Sequence, residues 1–342
     1  MTFSERITMV DSIRILYPQF IELLGVIEDY HLYNKKIEPD GLFISADTGA
    51  GKSTLKDEYT RRYPRKETEI GTVVEVLSSS IPPKATISGT AGNLLRDLGD
   101  PMYERGTIDS KTARLQKFLK DCQVKLIMLD EINHLYDRDS EKSLKLIADW
   151  LKTLIIESNI PIVALGLSVA ENVFNPTINP QLSRRFMKRL VLNPLPWNPV
   201  DENSIIKFLY FLEQKIPLMG ASNLFEEDVA LKIFYATDGS IAHIMTLVRQ
   251  GTRLALKQKQ ETLSMSILAT IFSEWIKNDK PHKKVNPFEE SLSKVQQELS
   301  KESESAEKEN SEQNIAEVPG NKATNKRIRG GKKKNLGVSD VL

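Results

Sequence analysis

One cysteine, Cys122, stands among 342 residues. An internal disulfide and a cysteine-built metal centre are therefore excluded, and Cys122, just ahead of an apolar run, reads as a small half-buried residue. Also missing is any stretch of about eighteen uninterrupted apolar residues, so no segment is expected to span a membrane. The N-terminus lacks a basic segment followed by an apolar run; no signal peptide is expected, and the cytoplasm is the default compartment. Charge of one sign is lacking as well, since 47 Lys and Arg oppose 46 Asp and Glu, a formal balance of +1. Nucleic-acid binding is then a question of local clustering rather than of net charge. Hydrophobic residues make up 40% of the chain, enough to bury one large α/β domain with a smaller attachment.

Four regions emerge along the chain. Residues 1–40 have helical spacing, with Ile13, Leu16, Phe20, Leu23, Leu24 and Ile27 three and four apart. In residues 41–195 short β-branched runs alternate with amphipathic helices. The runs are Leu42–Ala46, Thr72–Leu77, Lys125–Leu129, Ile160–Leu167 and Leu190–Leu192. Nearly continuous Val, Ile and Leu are what strands covered on both faces require, so a parallel five-stranded sheet between helices is expected. The segment Pro194-Leu195-Pro196-Trp197-Asn198-Pro199 breaks both periods and marks a boundary. Residues 196–280 return to helical spacing, with Ile205, Phe208, Leu209 and Leu212 as one apolar stripe of a small lid domain. Residues 281–342 form a tail. Its stretch 289–317, rich in Glu, Ser, Lys and Gln, is expected to be disordered. A basic cluster (Lys322 to Lys334) and an apolar tip (Leu336 to Leu342) follow. Either this is a tether carrying a docking peptide or it is a solvated tail.

The chemistry begins at Ala46-Asp47-Thr48-Gly49-Ala50-Gly51-Lys52-Ser53-Thr54, between an apolar run and a helix. This is the phosphate-loop pattern with Ala46 at the place of its first glycine. Gly49 and Gly51 let the backbone curl so that successive N–H groups point at phosphate oxygens, helped by the positive end of the following helix. Thr48, Gly49, Ala50, Gly51, Lys52, Ser53 and Thr54 are the expected cradle. Lys52 is expected to reach the β- and γ-phosphates of ATP, and Ser53 to ligate Mg2+.

The second half of the site is Lys125-Leu126-Ile127-Met128-Leu129-Asp130-Glu131, an apolar strand ending in two carboxylates. A buried strand delivers its last side chains to the edge of the sheet where ligands bind. Asp130 is assigned to the magnesium ion, and Glu131 to polarising the attacking water. A carboxylate beside the metal aspartate favours hydrolysis over transfer to an acceptor, so an ATPase is expected. The run Thr72–Leu77 lies between the two motifs. A strand inserted there is typical of the additional-strand class of P-loop ATPases, and the class implies a sheet of order 5-1-4-3-2.

Three further positions have expected roles. Ser168, after the run Ile160–Leu167, is the candidate sensor of the γ-phosphate. In Gln181-Leu182-Ser183-Arg184-Arg185-Phe186, Arg185 first and Arg184 second are candidates for an arginine that reaches a neighbouring subunit's nucleotide. For His243, in Thr237-Asp238-Gly239-Ser240-Ile241-Ala242-His243, helix packing is the expected role, since an imidazole donates to a phosphate only when protonated or in the right tautomer.

The order and spacing of these segments resemble the TniB/TnsC group of AAA+ transposition regulators. The resembling stretches include Tyr17-Pro18-Gln19-Phe20, Gly49 to Thr54, Ile81-Pro82-Pro83, Leu94 to Pro101, Asp130-Glu131, Leu165-Gly166, Gln181 to Phe186 and Asp238-Gly239-Ser240-Ile241. Together they cover about residues 10–275. Ala46, Leu167 and His243 depart from the group's pattern. The resemblance implies a bacterial, mobile-element protein that forms a homo-oligomeric ring or helical filament on duplex DNA with ATP. It further implies that the protein links a target-selection factor to a transposase subunit; the tail beyond Pro281 lies outside the resemblance, and docking to that subunit is its expected role. ATP hydrolysis would then disassemble the oligomer. In related assemblies the region after Tyr103 faces the pore, which makes Arg105, Lys111 and Arg114 candidates for sequence-independent phosphate contacts, against a solvated helix face. Two other readings share the same ATP site: a helicase-loader-like remodeller, and a nucleotide-gated switch that binds only proteins.

Overall fold

The computed structural model describes residues 2–33, 39–69, 71–83, 86–135, 141–198, 200–280, 283, 285–302 and 304. Its centre is a sheet of strands β1 (Gly41–Ala46), β2 (Val76–Ser80), β3 (Leu126–Asp130), β4 (Ile162–Gly166) and β5 (Lys188–Leu192). Their order is β5-β1-β4-β3-β2, and every pairing is parallel. This is the 5-1-4-3-2 arrangement the sequence implied. β1, β3 and β4 are buried along their whole length, which is why they read as unbroken apolar runs.

Alternation along each strand divides two cores. Leu42, Ile44, Met128, Val163 and Leu165 face the N-terminal segment and the helical domain. Phe43, Ile127, Leu129, Ile162 and Ala164 face the other way, towards helices Ile87–Leu98, Ile108–Asp121 and Glu141–Ser158. Two of these helices start on threonine caps: Thr86 Oγ1 accepts from the Gly89 amide (3.1 Å) and Thr107 Oγ1 from the Ser110 amide (3.3 Å). β5 is an edge, and Gln19 Nε2 donates to one of its carbonyls, Val191 O, at 3.2 Å.

Two expectations are corrected. The N-terminal stretch is two helices, Phe3–Ser12 and Pro18–Glu28, joined by an extended segment. Pro18 opens the second helix and leaves Tyr17 extended at φ −94°, ψ 163°. Leu16, placed by spacing on the apolar stripe, is 43% exposed, whereas Ile13 and Tyr17 turn inward. The run Thr72–Leu77 also divides. Gly71–Val73 pairs antiparallel with Lys66–Thr68 as a separate ribbon, and the sheet strand begins only at Val76. Between them Glu75 is held by Lys125 Nζ at 2.6 Å. Period-two spacing carries no mark of which partner each half of such a run will find.

The helical domain is built from Ile205–Glu213, Glu227–Thr237, Ile241–Lys257 and Met265–Ile271, with Ile205, Phe208, Leu209 and Leu212 buried as expected. The compact unit runs on to Val295. Lys283 is buried against Asp238 (2.6 Å) and lies 4.4 Å above the Tyr235 ring. Phe288 packs edge-on to Phe272 at 6.3 Å. A second unit is Gln296–Leu342, of which 296–302 are helical. The basic cluster and the apolar tip lie outside the described residues. Among the described residues no helix is long and apolar enough to cross a membrane.

A backbone hydrogen bond ties the connection from β5 to the helical domain: the Leu195 amide donates to Gly239 O at 2.9 Å. Gly239 has φ +69°, and a Cβ there would lie 2.0 Å from Leu195 O. Gly239→Ala is therefore expected to destabilise the fold by about 2 kcal/mol or more in denaturant unfolding. Gly25→Ala, in a helix with nothing within 4 Å of the added carbon, should instead be neutral or stabilising by about 0.5–1 kcal/mol. Equal stability of Gly239→Ala and wild type would contradict the packing described.

Candidate nucleotide site

β1 ends at Ala46, whose backbone is still extended and paired with Leu192. The methyl group in place of a glycine hydrogen is buried without strain at this position. The turn comes later: Gly49 has φ +81° and Gly51 φ +106°. Gly51 is also the N-cap of helix Lys52–Arg62, and no side chain caps that end. A capless, glycine-led helix start presents its first N–H groups to an anion.

Lys52 is buried, and its Nζ donates to Ala46 O (2.8 Å) and Asp47 O (3.0 Å). Burial pushes its pKa down, opposed by the charges of Glu131, Asp130 and Asp47. The cation is thus curled into the loop, its hydrogen bonds made to carbonyls that a phosphate oxygen would replace. Asp130, only 1% exposed, accepts from the Glu131 amide through Oδ1 (2.9 Å). Its Oδ2 lies 3.1 Å from Lys56 Nζ. Glu131 follows with φ +57°, in the left-handed region that a glutamate rarely adopts. That turn brings Glu131 to the wall of a cavity of about 490 Å3, and strained backbone of this kind persists where the surrounding structure enforces it.

The cavity has two chemically different parts. Thr48, Gly49, Gly51, Lys52, Ser53, Thr54 and Glu131 line the polar part. Ile13, Ile15, Tyr17, Phe208, Ile241 and Met245 contribute apolar walls. A flat heteroaromatic group joined to a polyphosphate asks for this combination, and the volume is in the range of small-molecule sites. The Ala242 amide donates to Gly49 O at 3.0 Å, which fastens the helical domain to the loop. Helix Ile241–Lys257 then presents Ile241, Met245 and Arg249, four apart, to the cavity.

Arg249 is the helical domain's cation at this cavity, not His243. Its Nη2 donates to Ile13 O at 2.8 Å, and burial followed by the charge of Arg14 lowers its pKa. Arg14 lines the same wall. His243 is not part of the lining, and its Nε2 is 3.6 Å from Asp279. Burial, then Lys280, pulls its pKa below the ordinary imidazole value.

Magnesium suits the oxygen donors available. Ser53 lines the cavity, and Asp130, not itself among the lining residues, directly precedes Glu131, which is; both Ser53 and Asp130 offer hard oxygen donors. Among the described residues no group of three or more His, Cys, Asp or Glu could hold a metal. A small cation taking most of its shell from water and phosphate is what this sparse set fits.

The remaining expected residues lie elsewhere. Ala50 is buried beneath the loop. Ser168 is exposed, at the start of the short helix Ser168–Phe174, and is not among the cavity's lining residues. Arg184 is exposed and Arg185 half-buried at the end of helix Pro180–Arg185, with Arg185 Nη1 donating to Pro39 O at 3.1 Å. Of the three cations assigned to DNA, two turn inward. Lys111 is 6% exposed, and its Nζ donates to Ser88 O at 3.3 Å. Arg114 pairs with the buried Asp100 at 2.9 Å and donates to Met102 O and Arg105 O. Without Arg114, Asp100 would keep only the Met102 amide (2.8 Å) and lose the counter-charge this structure gives it. Arg105 is exposed.

Sequence reasoning missed Lys56, Arg249, Arg14 and the extended segment Ile13–Tyr17. A signal for two of them was present: Pro18 interrupts the helical period, and Arg249 falls two turns after Ile241 on one helix face.

The fold has recognisable relatives. The Aeropyrum pernix ORC2 protein, solved as ADPNP–ADP complexes, superposes with a TM-score of 0.54 at 15% identity, covering 77% of this chain and 68% of that one. Cdc6p from Pyrobaculum aerophilum gives 0.52 at 16% identity, covering 75% and 66%. The Aeropyrum pernix ORC1 protein in complex with DNA gives 0.50 at 18% identity, covering 75% and 64%. The chain thus spans about two thirds of the length of these proteins, and the likeness is one of fold. No curated protein matches the chain. Residues 6–194 match the family described as "Bacterial TniB protein"; the chain belongs to the TniB family.

Proposed function

We propose that this protein binds and hydrolyses magnesium-bound ATP, and that ATP binding drives its assembly into a ring or helical filament on duplex DNA. In that state it joins a target-selection factor to a transposase subunit, and hydrolysis releases the oligomer. One observation carries the ATP reading: the glycine loop, Glu131 and an apolar wall from two other parts of the chain meet around one cavity. The ORC2 relative, solved with nucleotide, and the ORC1 relative, solved with DNA, lend support to the ATP and DNA parts respectively. The transposition context rests on TniB membership.

Each residue has a task in this reading. The loop amides and Lys52 orient the polyphosphate. Ser53 and Asp130 hold the metal, which when bound neutralises phosphate charge. Glu131 accepts a proton from the attacking water, and its position on the cavity wall supports that role. Arg249 and Arg14 add positive charge on the side of the helical domain. Arg184, being exposed, is better suited than Arg185 to reach a neighbouring subunit. Arg105 remains the candidate for a backbone phosphate of DNA.

Lys52→Ala is expected to abolish ATP binding and DNA-dependent assembly, measured by nucleotide fluorescence and electron microscopy; assembly at the wild-type level would remove the loop from the mechanism. Glu131→Gln should bind ATP yet turn it over about a hundredfold more slowly or worse, leaving oligomers trapped on DNA. Unchanged turnover would place the base elsewhere. Arg184→Ala should bind ATP normally, hydrolyse it about a hundredfold more slowly or worse, and depress the rate of wild type when mixed with it. Rates in mixtures that simply average would argue against a residue acting across subunits.

A further inference from the structure

Two lysines lie one turn apart on the helix that follows the phosphate loop, and they serve different partners. Lys52 turns back to the carbonyls of Ala46 and Asp47. Lys56, on the same helix face, reaches across to β3. Its Nζ is 3.1 Å from Asp130 Oδ2 and donates to Ser80 Oγ, at the end of β2, at 3.0 Å. A further acid, Asp57, is 3.9 Å away and its side chain is largely exposed. The side chains in the central pair are 11% exposed for Lys56 and 2% for Asp130. One carboxylate therefore has both oxygens engaged: Oδ1 by the Glu131 amide and Oδ2 by a lysine.

A buried carboxylate with no counter-charge is costly, and Asp130 is nearly inaccessible to water. Before a metal arrives, some other cation must balance it, and among the described residues Lys56 is the cation in contact. When a metal does arrive with a nucleotide, it or its water needs the same carboxylate. Oδ1 faces the backbone amide of the next residue, which strand geometry fixes. Oδ2 is held by a flexible four-carbon side chain that has a second partner, Ser80 Oγ, on which to rest.

We propose that Lys56 is a resident counter-charge that holds Asp130 while the site lacks a divalent cation and yields Oδ2 when magnesium loads. Lys56 thus sets the magnesium concentration at which the site becomes competent. The inference rests on the reading above, in which Asp130 serves a magnesium–nucleotide complex. It makes Lys56 a positioning residue rather than a catalytic one, since the lysine acts through the carboxylate. Binding of the metal is then a replacement of one cation by another at the Asp130 carboxylate.

The test measures affinity for a fluorescent, nonhydrolysable ATP analogue at a series of magnesium concentrations, using full-length wild type, Lys56→Gln and Lys56→Arg. In wild type the affinity should tighten through a definable magnesium midpoint. Lys56→Gln removes the competing charge and should lower that midpoint by about fivefold or more. Lys56→Arg supplies a fork that grips a carboxylate more firmly, and should raise it by a similar factor. If Lys56→Gln does not fold, the direction of the shift in Lys56→Arg decides alone. A midpoint common to all folded proteins, or a wild-type affinity indifferent to magnesium, overturns the proposal. Failure of wild type to bind the analogue at any magnesium concentration overturns the nucleotide reading itself.

Discussion

The amide of Ala242, at the start of a helix of the helical domain, donates to the carbonyl of Gly49 at 3.0 Å, and the geometry of the site follows from that contact. A Cβ at Gly49 would lie 2.9 Å from the Ala242 side chain, so the loop and the helical domain approach closely only because a glycine stands there. With the two joined, the apolar residues Ile241 and Met245 become a wall for the glycine loop, and Tyr17 and Phe208 close the side between them, their rings edge-on at 5.8 Å. The loop thereby touches the start of helix Ile241–Lys257 directly.

Three carboxylates, two of them buried, are held by lysine or arginine. Asp130 has Lys56, Asp100 has Arg114, and Asp238 has Lys280 at 2.7 Å and Lys283 at 2.6 Å. Such pairs are costly to assemble and costlier to break by halves, so they specify geometry more than they add stability. Asp238 precedes Gly239 and Ser240, which lead directly into the contact with Gly49. The root of the C-terminal segment is thus fastened, through two lysines, to the turn that touches the phosphate loop.

Much of this was legible before any coordinates. Buried parallel strands write themselves as continuous Val, Ile and Leu, and β1, β3 and β4 were located on that ground alone. That Lys52, Ser53 and Glu131 would meet at one cavity was legible because a glycine loop and an acidic strand end are local patterns. Other features depend on what lies opposite in space. Helical spacing through Leu16 did not reveal that Pro18 would hold Ile13–Tyr17 extended against the cavity. The basic residues after Tyr103 looked like one face, yet Lys111 and Arg114 are consumed by Ser88 and Asp100. Arg249 could not be chosen over His243 until the helix was seen to turn its four-spaced residues inward.

In the proposed mechanism one cavity, walled by three separate parts of the chain, receives ATP with its base on the apolar side and its phosphates on the glycine loop. Photolabelling with 8-azido-ATP in the presence of magnesium, followed by peptide mapping, tests it most directly. The account predicts saturable labelling of residues within 13–20 and 241–249, abolished by excess ATP. Labelling that maps elsewhere, or that excess ATP does not displace, would contradict it.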